Sequence, residues 1–270
     1  MAEWIAVIVL GLIEGITEFL PVSSTGHLLL AECAFREWLG LPHRSDLFNT
    51  VIQCGAVLAV VVLFTRRVEQ MLFHWRDPAV RQFLLKLAAA FFITGVGGVI
   101  MKKTGLELPE TAGPVAWATL IGGFVIFAVE RWVKGRTPQE EMGWVAAVVV
   151  GFAQLLAAAF PGASRSGATI LAAMVAGTSR KSATEFSFLL GIPTLLSAGA
   201  FQIVDAWQEA QAQGVAMTED WGQLIVAGVV AAVTAFAAVE WLLKFVQHHT
   251  FIVFGWYRIG LGVLILVALR

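Results

Sequence analysis

Two carboxylates four residues apart, Glu14 and Glu18, stand in an otherwise apolar stretch, Gly11-Leu-Ile-Glu-Gly-Ile-Thr-Glu-Phe-Leu-Pro21. On a helix that spacing puts both on one face within a turn. Adjacent anions in a low-dielectric setting repel, so one is protonated, the pair titrates jointly, or a cation lies between them. A hard divalent ion, Mg²⁺ or Ca²⁺, suits carboxylate oxygens, and a phosphorylated ligand would complete its shell. The plainer alternative is a structural pair bonded to neighbouring helices.

Directly after the carboxylates comes Pro21-Val-Ser23-Ser24-Thr25-Gly26-His27. A proline at the first helical turn with hydroxyls beside it is the pattern of a half-helix whose free amides face an anion, and phosphate is the natural guest. Ser24 and His27 are three apart, a spacing that would let a hydroxyl nucleophile meet its base on one helical face. Capping and close packing are the competing readings for the hydroxyls, and a satisfied core imidazole for His27. A second cluster, Pro161-Gly-Ala-Ser164-Arg165-Ser166-Gly167-Ala-Thr169, repeats the broken, hydroxyl-rich turn and adds an arginine. A guanidinium keeps its charge and offers a planar fork of donors matched to phosphate oxygens; an ion pair with Glu14 or Glu18 is its alternative use. Ser23, Thr25, Gly26, Ser164, Ser166, Gly167 and Thr169 are the expected phosphate-holding groups, and Glu14, Glu18, Ser24, His27 and Arg165 the expected catalytic ones, with Glu14 and Glu18 as metal ligands.

The elements that must position these groups belong in a bilayer. The 270 residues are 58% hydrophobic and 14% charged, with a mean hydropathy of +0.79, far from a soluble chain. Ten Trp and nineteen Phe against eighteen Lys plus Arg exclude a nucleic-acid binder, a disordered chain and a disulfide scaffold. Cys33 and Cys54 lack metal or redox spacing and read as packing residues. Met1 to Ile13 lacks a basic start and a small-residue cleavage site, so it is expected to remain in the mature fold. Six runs are long enough to span, at about 46–65, 84–101, 114–133, 183–204, 222–246 and 250–269. Four shorter runs, at about 4–20, 22–35, 143–160 and 163–178, form two pairs broken at Pro21 and Pro161, the mark of re-entrant hairpins. The expected fold is an all-α polytopic membrane protein, six transmembrane helices plus two re-entrant hairpins.

The two breaks also align with each other. Gly11 to Gly26 matches Gly151 to Gly167 with one insertion after the proline. One membrane domain, 1–270, thus divides into repeat 1, about 1–135 with hairpin 1–35, and repeat 2, about 140–270 with hairpin 143–178; an odd number of spans per repeat forces opposite orientations. Gln154 and Ala158 stand where the first repeat has Glu14 and Glu18, so one half supplies acids and the other the cation. With the first hairpin entering from outside, Arg66, Arg67, Arg76, Arg81, Lys86, Arg131, Lys134, Arg136, Arg180, Lys181 and Lys244 lie inside, eleven of the eighteen basic residues, as the positive-inside rule expects. Arg36, Arg44, Lys102 and Lys103 are exceptions, and the outer connection 205–220 carries only Asp205, Glu209, Glu219 and Asp220. Gln53, Thr184, Glu185 and Ser187 are candidate cavity-lining residues with capping as the equal alternative. Tyr257 and Arg258 read as substrate contacts or interfacial anchors, and Glu130 as solvated near a span end.

On Glu14-Gly-Ile-Thr-Glu18-Phe-Leu-Pro-Val-Ser-Ser-Thr-Gly-His27 and Pro161-Gly-Ala-Ser-Arg-Ser-Gly-Ala-Thr169, supported by Glu185-Phe-Ser-Phe-Leu-Leu190, the sequence resembles the bacterial undecaprenyl-pyrophosphate phosphatase family associated with bacitracin resistance. The resemblance covers essentially the whole chain. It implies hydrolysis of a C55 polyprenyl pyrophosphate to the monophosphate lipid carrier of peptidoglycan synthesis, dependence on Mg²⁺ or Ca²⁺, and residence in the bacterial plasma (inner) membrane with the site opening to the periplasmic or outer face. The partners implied are the lipid substrate and the membrane, with no nucleic acid; oligomeric state, a homo-oligomer included, is left open. The rival is a polyprenyl-phosphate flippase or transporter, because inverted repeats with broken helices are also carrier architecture. A carrier has no need of a nucleophile and base, which is what separates the two.

Overall fold

Apolar runs become helices, and the breaks between them become caps. The computed structural model describes residues 1–105, 111–213 and 220–269. Helices α1 (Ala2–Thr17) and α2 (Ser24–Leu39) make the first hairpin; α3 (Asp46–Leu63), the short α4 (Thr65–Phe73), α5 (Pro78–Thr104) and α6 (Ala112–Val133) follow. Helices α7 (Trp144–Ala159) and α8 (Arg165–Val175) make the second hairpin, and α9 (Arg180–Gln213), α10 (Trp221–Phe245) and α11 (Ile252–Ala268) complete the order. Apart from an isolated bridge between Gln139 and Thr178, the described regular structure is helical.

The protein is an all-α polytopic membrane protein. Helices α3, α5, α6, α9 and α10 are long and apolar enough to cross a bilayer. The sixth predicted span is α11, whose 17 residues are near the lower limit for a crossing. Large apolar side chains face outward along these helices, Phe92 on α5, Val233 on α10 and Val267 on α11 among them, a surface that only hydrocarbon would solvate without cost.

Three departures from the sequence reading have physical causes. Asp77 caps α5 and Pro78 occupies its first turn, so that helix starts six residues before the predicted 84. Helix α9 continues to Gln213, past the predicted end at 204, and Asp205 on it accepts from Lys102 Nζ at 2.6 Å; one of the basic residues expected to be exceptional outside is therefore paired. Of the outer connection, Glu219 lies outside the described residues. Thirdly, α4 stands in the connection expected to face inward, with none of its residues buried, an amphipathic surface turn between two spans. Glu130 is also corrected: it is buried, paired with Arg180, and it accepts from the Phe251 amide at 2.8 Å.

Each hairpin leans on the other half of the chain. Helix α1 packs along α10, α7 along α5, and α6 along α11. Gly11 and Gly151, equivalent in the internal repeat, are the contact points: a Cβ on Gly11 would lie 2.6 Å from the Ala227 carbonyl, and one on Gly151 3.0 Å from the Ala90 carbonyl. Small residues thus bring the hairpins against their supports closely enough to fix where the tips arrive.

Candidate active site

Both hairpins turn through the same unusual backbone. Pro21 lacks the amide that would extend α1, and the chain re-enters helix at Ser23, with φ 73°, whose side chain accepts from the Gly26 amide. In the second hairpin Ser164, with φ 67°, accepts from the Gly167 amide in the same way. Among the described residues these are the two non-glycine positions with positive φ. Such backbone costs about 1–3 kcal/mol per residue and persists where surroundings enforce it, commonly at functional sites.

The tips meet. Ser166 Oγ in the second donates to the Leu20 carbonyl of the first at 2.9 Å. Arg165 donates to Glu18 Oε1 through Nη2 at 3.0 Å and Nε at 3.3 Å, with its guanidinium 5.4 Å from the Phe19 ring centroid. The other oxygen, Glu18 Oε2, accepts from Ser24 Oγ at 2.9 Å. One carboxylate therefore joins a hydroxyl from one hairpin and a cation from the other. Around them is a cavity of about 280 Å³, lined by Glu18, Ser24, Thr25, Ser164 and Arg165 and, on the far walls, by Gln53, Thr94, Gln154 and Thr194.

What holds two irregular turns together away from water is a second arginine. Arg258 on α11 is 1% exposed and donates to five carbonyls: Pro21, Gly162 and Ala163 in the two tips, and Ala118 and Thr119 on α6. Broken backbone at membrane depth must have its carbonyls satisfied by protein, and a guanidinium offers five donors in a fixed fork. The sequence reading of Arg258 as a substrate contact or interfacial anchor is corrected: it is a clamp on the tips.

The family model described as bacitracin resistance protein BacA matches residues 7–264. The chain belongs to that family. Among its relatives, the undecaprenyl-diphosphatase of Rhizobium johnstonii is 51% identical over 265 residues, covering 98% of this chain and 96% of the relative. The undecaprenyl-diphosphatase of Xylella fastidiosa is 45% identical over 267 residues, 98% of each chain. That of Xanthomonas oryzae pv. oryzae is 44% identical over 269 residues, 99% of this chain and 97% of the relative.

In this BacA family member the predicted site residues separate into two groups. Glu18, Ser24, Thr25, Ser164 and Arg165 share the cavity. Of the others, all but Glu14 are engaged by or packed against the protein. Ser23 is buried and caps α2. Gly26 packs beneath Ile265. Ser166 bonds the opposite tip, and the Gly167 amide donates to Ser164. Thr169 is fully buried, donating to the Arg165 and Ser166 carbonyls and contacting Ser187 Oγ at 2.6 Å. Their task in this geometry is to build the tips. The expected Ser24–His27 pair is not formed: Ser24 turns to Glu18, while His27 Nδ1 lies 2.7 Å from the Ser23 carbonyl and Nε2 2.6 Å from the Tyr257 hydroxyl.

Of the weaker candidates, Gln53 lines the cavity and Ser187 supports Thr169 and Arg165. Thr184 bonds back to its own helix, and Glu185 lines a separate cavity with Arg67, Lys86 and Ser182. Thr94 and Thr194 were missed, as apolar spans hide single threonines. Gln154 reads in the sequence as the place of a lost acid; in the structure its Nε2 donates to Thr94 Oγ1 at 2.8 Å and its Oε1 has no partner.

The acid pair is divided in its surroundings. Both Glu18 oxygens have donors, whereas Glu14 is fully buried with both oxygens unpartnered. A buried carboxylate without donors requires a cation or a proton, so these residues fit a divalent ion. Among the described residues no group of three or more His, Cys, Asp or Glu gathers to enclose a metal. That donor set suits an ion held by one or two carboxylates, with substrate phosphates and water filling its shell.

Proposed function

We propose that the chain is an undecaprenyl-diphosphatase: it hydrolyses undecaprenyl pyrophosphate to undecaprenyl phosphate and inorganic phosphate, recycling the lipid carrier of peptidoglycan synthesis and so conferring bacitracin resistance. The observation that carries the reading is the shared carboxylate, Glu18, bridging Ser24 of one hairpin and Arg165 of the other at a polar cavity.

The leaving group is already a good one, so the protein chiefly has to neutralise charge and align a nucleophile. Arg165 moves from Glu18 onto the diphosphate oxygens, which its planar fork fits. Ser24 Oγ attacks the terminal phosphorus while its proton passes to Glu18, and the bond from phosphorus to the bridging oxygen breaks to release the lipid monophosphate. Water then attacks the phosphoserine, inorganic phosphate leaves, and the proton returns to Ser24. Thr25 and Ser164 donate to phosphate oxygens. Glu14, with Glu18 beside it, would hold Mg²⁺ or Ca²⁺, which neutralises phosphate charge when bound. The apolar tail lies along a groove between spans. The reading places the protein in the bacterial plasma (inner) membrane with the cavity opening to the periplasmic or outer face, and the basic inward connections support that orientation.

Purified protein given polyprenyl pyrophosphate and Mg²⁺ should release phosphate steadily, stop on addition of a chelator and resume when Mg²⁺ is restored. Absence of release above background, with movement of the lipid phosphate across vesicles, would instead favour the transport reading.

A further inference from the structure

His27 stands three residues after Ser24, yet its bonds lead elsewhere. A carbonyl only accepts, so the 2.7 Å contact with the Ser23 oxygen requires the hydrogen on Nδ1. Nε2 of the neutral ring is then an acceptor, and the Tyr257 hydroxyl at 2.6 Å is its donor. The two rings lie nearly parallel, 12° apart in plane with centroids 5.6 Å apart, so the contact is held by ring packing as well as by the hydrogen bond. The oxygen at the far end of this chain belongs to Ser23, the positive-φ residue immediately before Ser24.

The second tip provides an internal control. Ser164 has the same φ sign and the same capping bond, but Ala168 stands where His27 would be, and the tip is held instead by Arg258 on the Gly162 and Ala163 carbonyls. Tyr257 and Arg258 are neighbours on α11, so one turn of that helix sends a hydroxyl to the first tip and a guanidinium to both. The histidine strut occurs only at the tip that carries Ser24.

We propose that Tyr257 is a positioning residue: through His27, locked as its Nδ1–H tautomer, it fixes the Ser23 carbonyl and so aims Ser24 Oγ at Glu18. His27 on this account holds the tip and does not take the serine proton. The inference rests on the reading of Ser24 and Glu18 as the reacting pair, and it adds a residue that neither motif contains.

Three variants and one spectrum test it. Tyr257→Phe keeps the stacked ring and loses the donor; kcat for phosphate release should fall about tenfold with KM within about twofold, the effect of one hydrogen bond on alignment. His27→Asn places an amide N–H near the Nδ1 position and should keep kcat within about tenfold of wild type. His27→Gln reaches the Nε2 position but leaves the Ser23 carbonyl without its donor, and should lose about a hundredfold. Nitrogen-15 NMR of histidine-labelled protein should report the Nδ1–H tautomer for the signal that His27→Asn removes, and in Tyr257→Phe a shift of its Nε2 resonance from loss of the hydrogen bond donated to that nitrogen.

Equal, near-complete loss in His27→Asn and His27→Gln would assign His27 the proton transfer and overturn the proposal, as would wild-type kcat in Tyr257→Phe or a change confined to KM. Should wild-type protein release no phosphate, the functional reading fails separately; the strut is then decided by the spectrum alone, Nδ1–H supporting it and Nε2–H overturning it.

Discussion

At the first tip Ser23 turns with φ 73° and is followed by a hydroxyl and a histidine; at the second, Ser164 turns with φ 67° and is followed by an arginine and, where the histidine would be, an alanine. The acids differ in the same sense, Glu14 and Glu18 against Gln154 and Ala158. The backbone solution is shared because both hairpins face the same problem, a broken helix whose amides and carbonyls must be satisfied inside protein. On the proposed mechanism the side chains diverge because a diphosphate needs a cation on one side and a nucleophile on the other, and two identical tips would supply one of these twice. The backbone that the halves share builds the tips, and the acids, Ser24 and Arg165 by which they differ are the proposed reacting groups.

The largest effect should come from separating the two contributions at their junction. Arg165→Ala and Glu18→Gln should each lower phosphate release by at least about 10²–10³-fold, with helical circular dichroism unchanged; near-normal turnover in either would remove its assigned role. Ser24→Ala sharpens the comparison from the acid side. No radiolabelled phosphoenzyme should be trapped in it by acid quench, whereas wild type should yield label on Ser24; residual turnover with unchanged KM would make water the nucleophile.

Arg258→Gln attacks what the tips share. Several tip carbonyls lose their donor, each at about 1–3 kcal/mol, so thermal unfolding in detergent should occur at lower temperature and activity should fall with it. The smallest effect belongs to Gly191→Ala. A Cβ there would lie 2.9 Å from Arg165 Nη1, and since the guanidinium is the end of a flexible side chain it should shift slightly, reducing kcat about fivefold to tenfold through misalignment while stability stays near wild type.

How much of this was legible in the sequence varies by the kind of information required. The apolar runs gave the helices and the two proline breaks gave the hairpins, because hydropathy and a missing amide act locally. The division into an acidic and a basic tip was legible from the repeat, since Gln154 and Arg165 stand opposite residues of different charge type. Partner choice was not. The three-residue spacing of Ser24 and His27 fits one helical face, but the break between Glu18 and Ser24 reverses the chain and brings a residue six positions back into contact instead. Arg258 was opaque for a related reason: an arginine in an apolar span has several uses, and only the tertiary fold shows five carbonyls converging on it. Thr94 and Thr194 reach the cavity from α5 and α9, whose polar faces are single residues among apolar ones.

The central claim is that both tips grip one diphosphate at once. Its most direct test is a crystal structure of the protein with Mg²⁺ and a non-hydrolysable methylene-diphosphonate analogue of the lipid. The account predicts phosphonate oxygens within about 3 Å of the Arg165 guanidinium and of Ser24 Oγ in the same molecule, the distance of a charge-assisted hydrogen bond. A diphosphonate bound to one tip alone, or seated outside the cavity with the Glu18–Arg165 pair still closed, would contradict it.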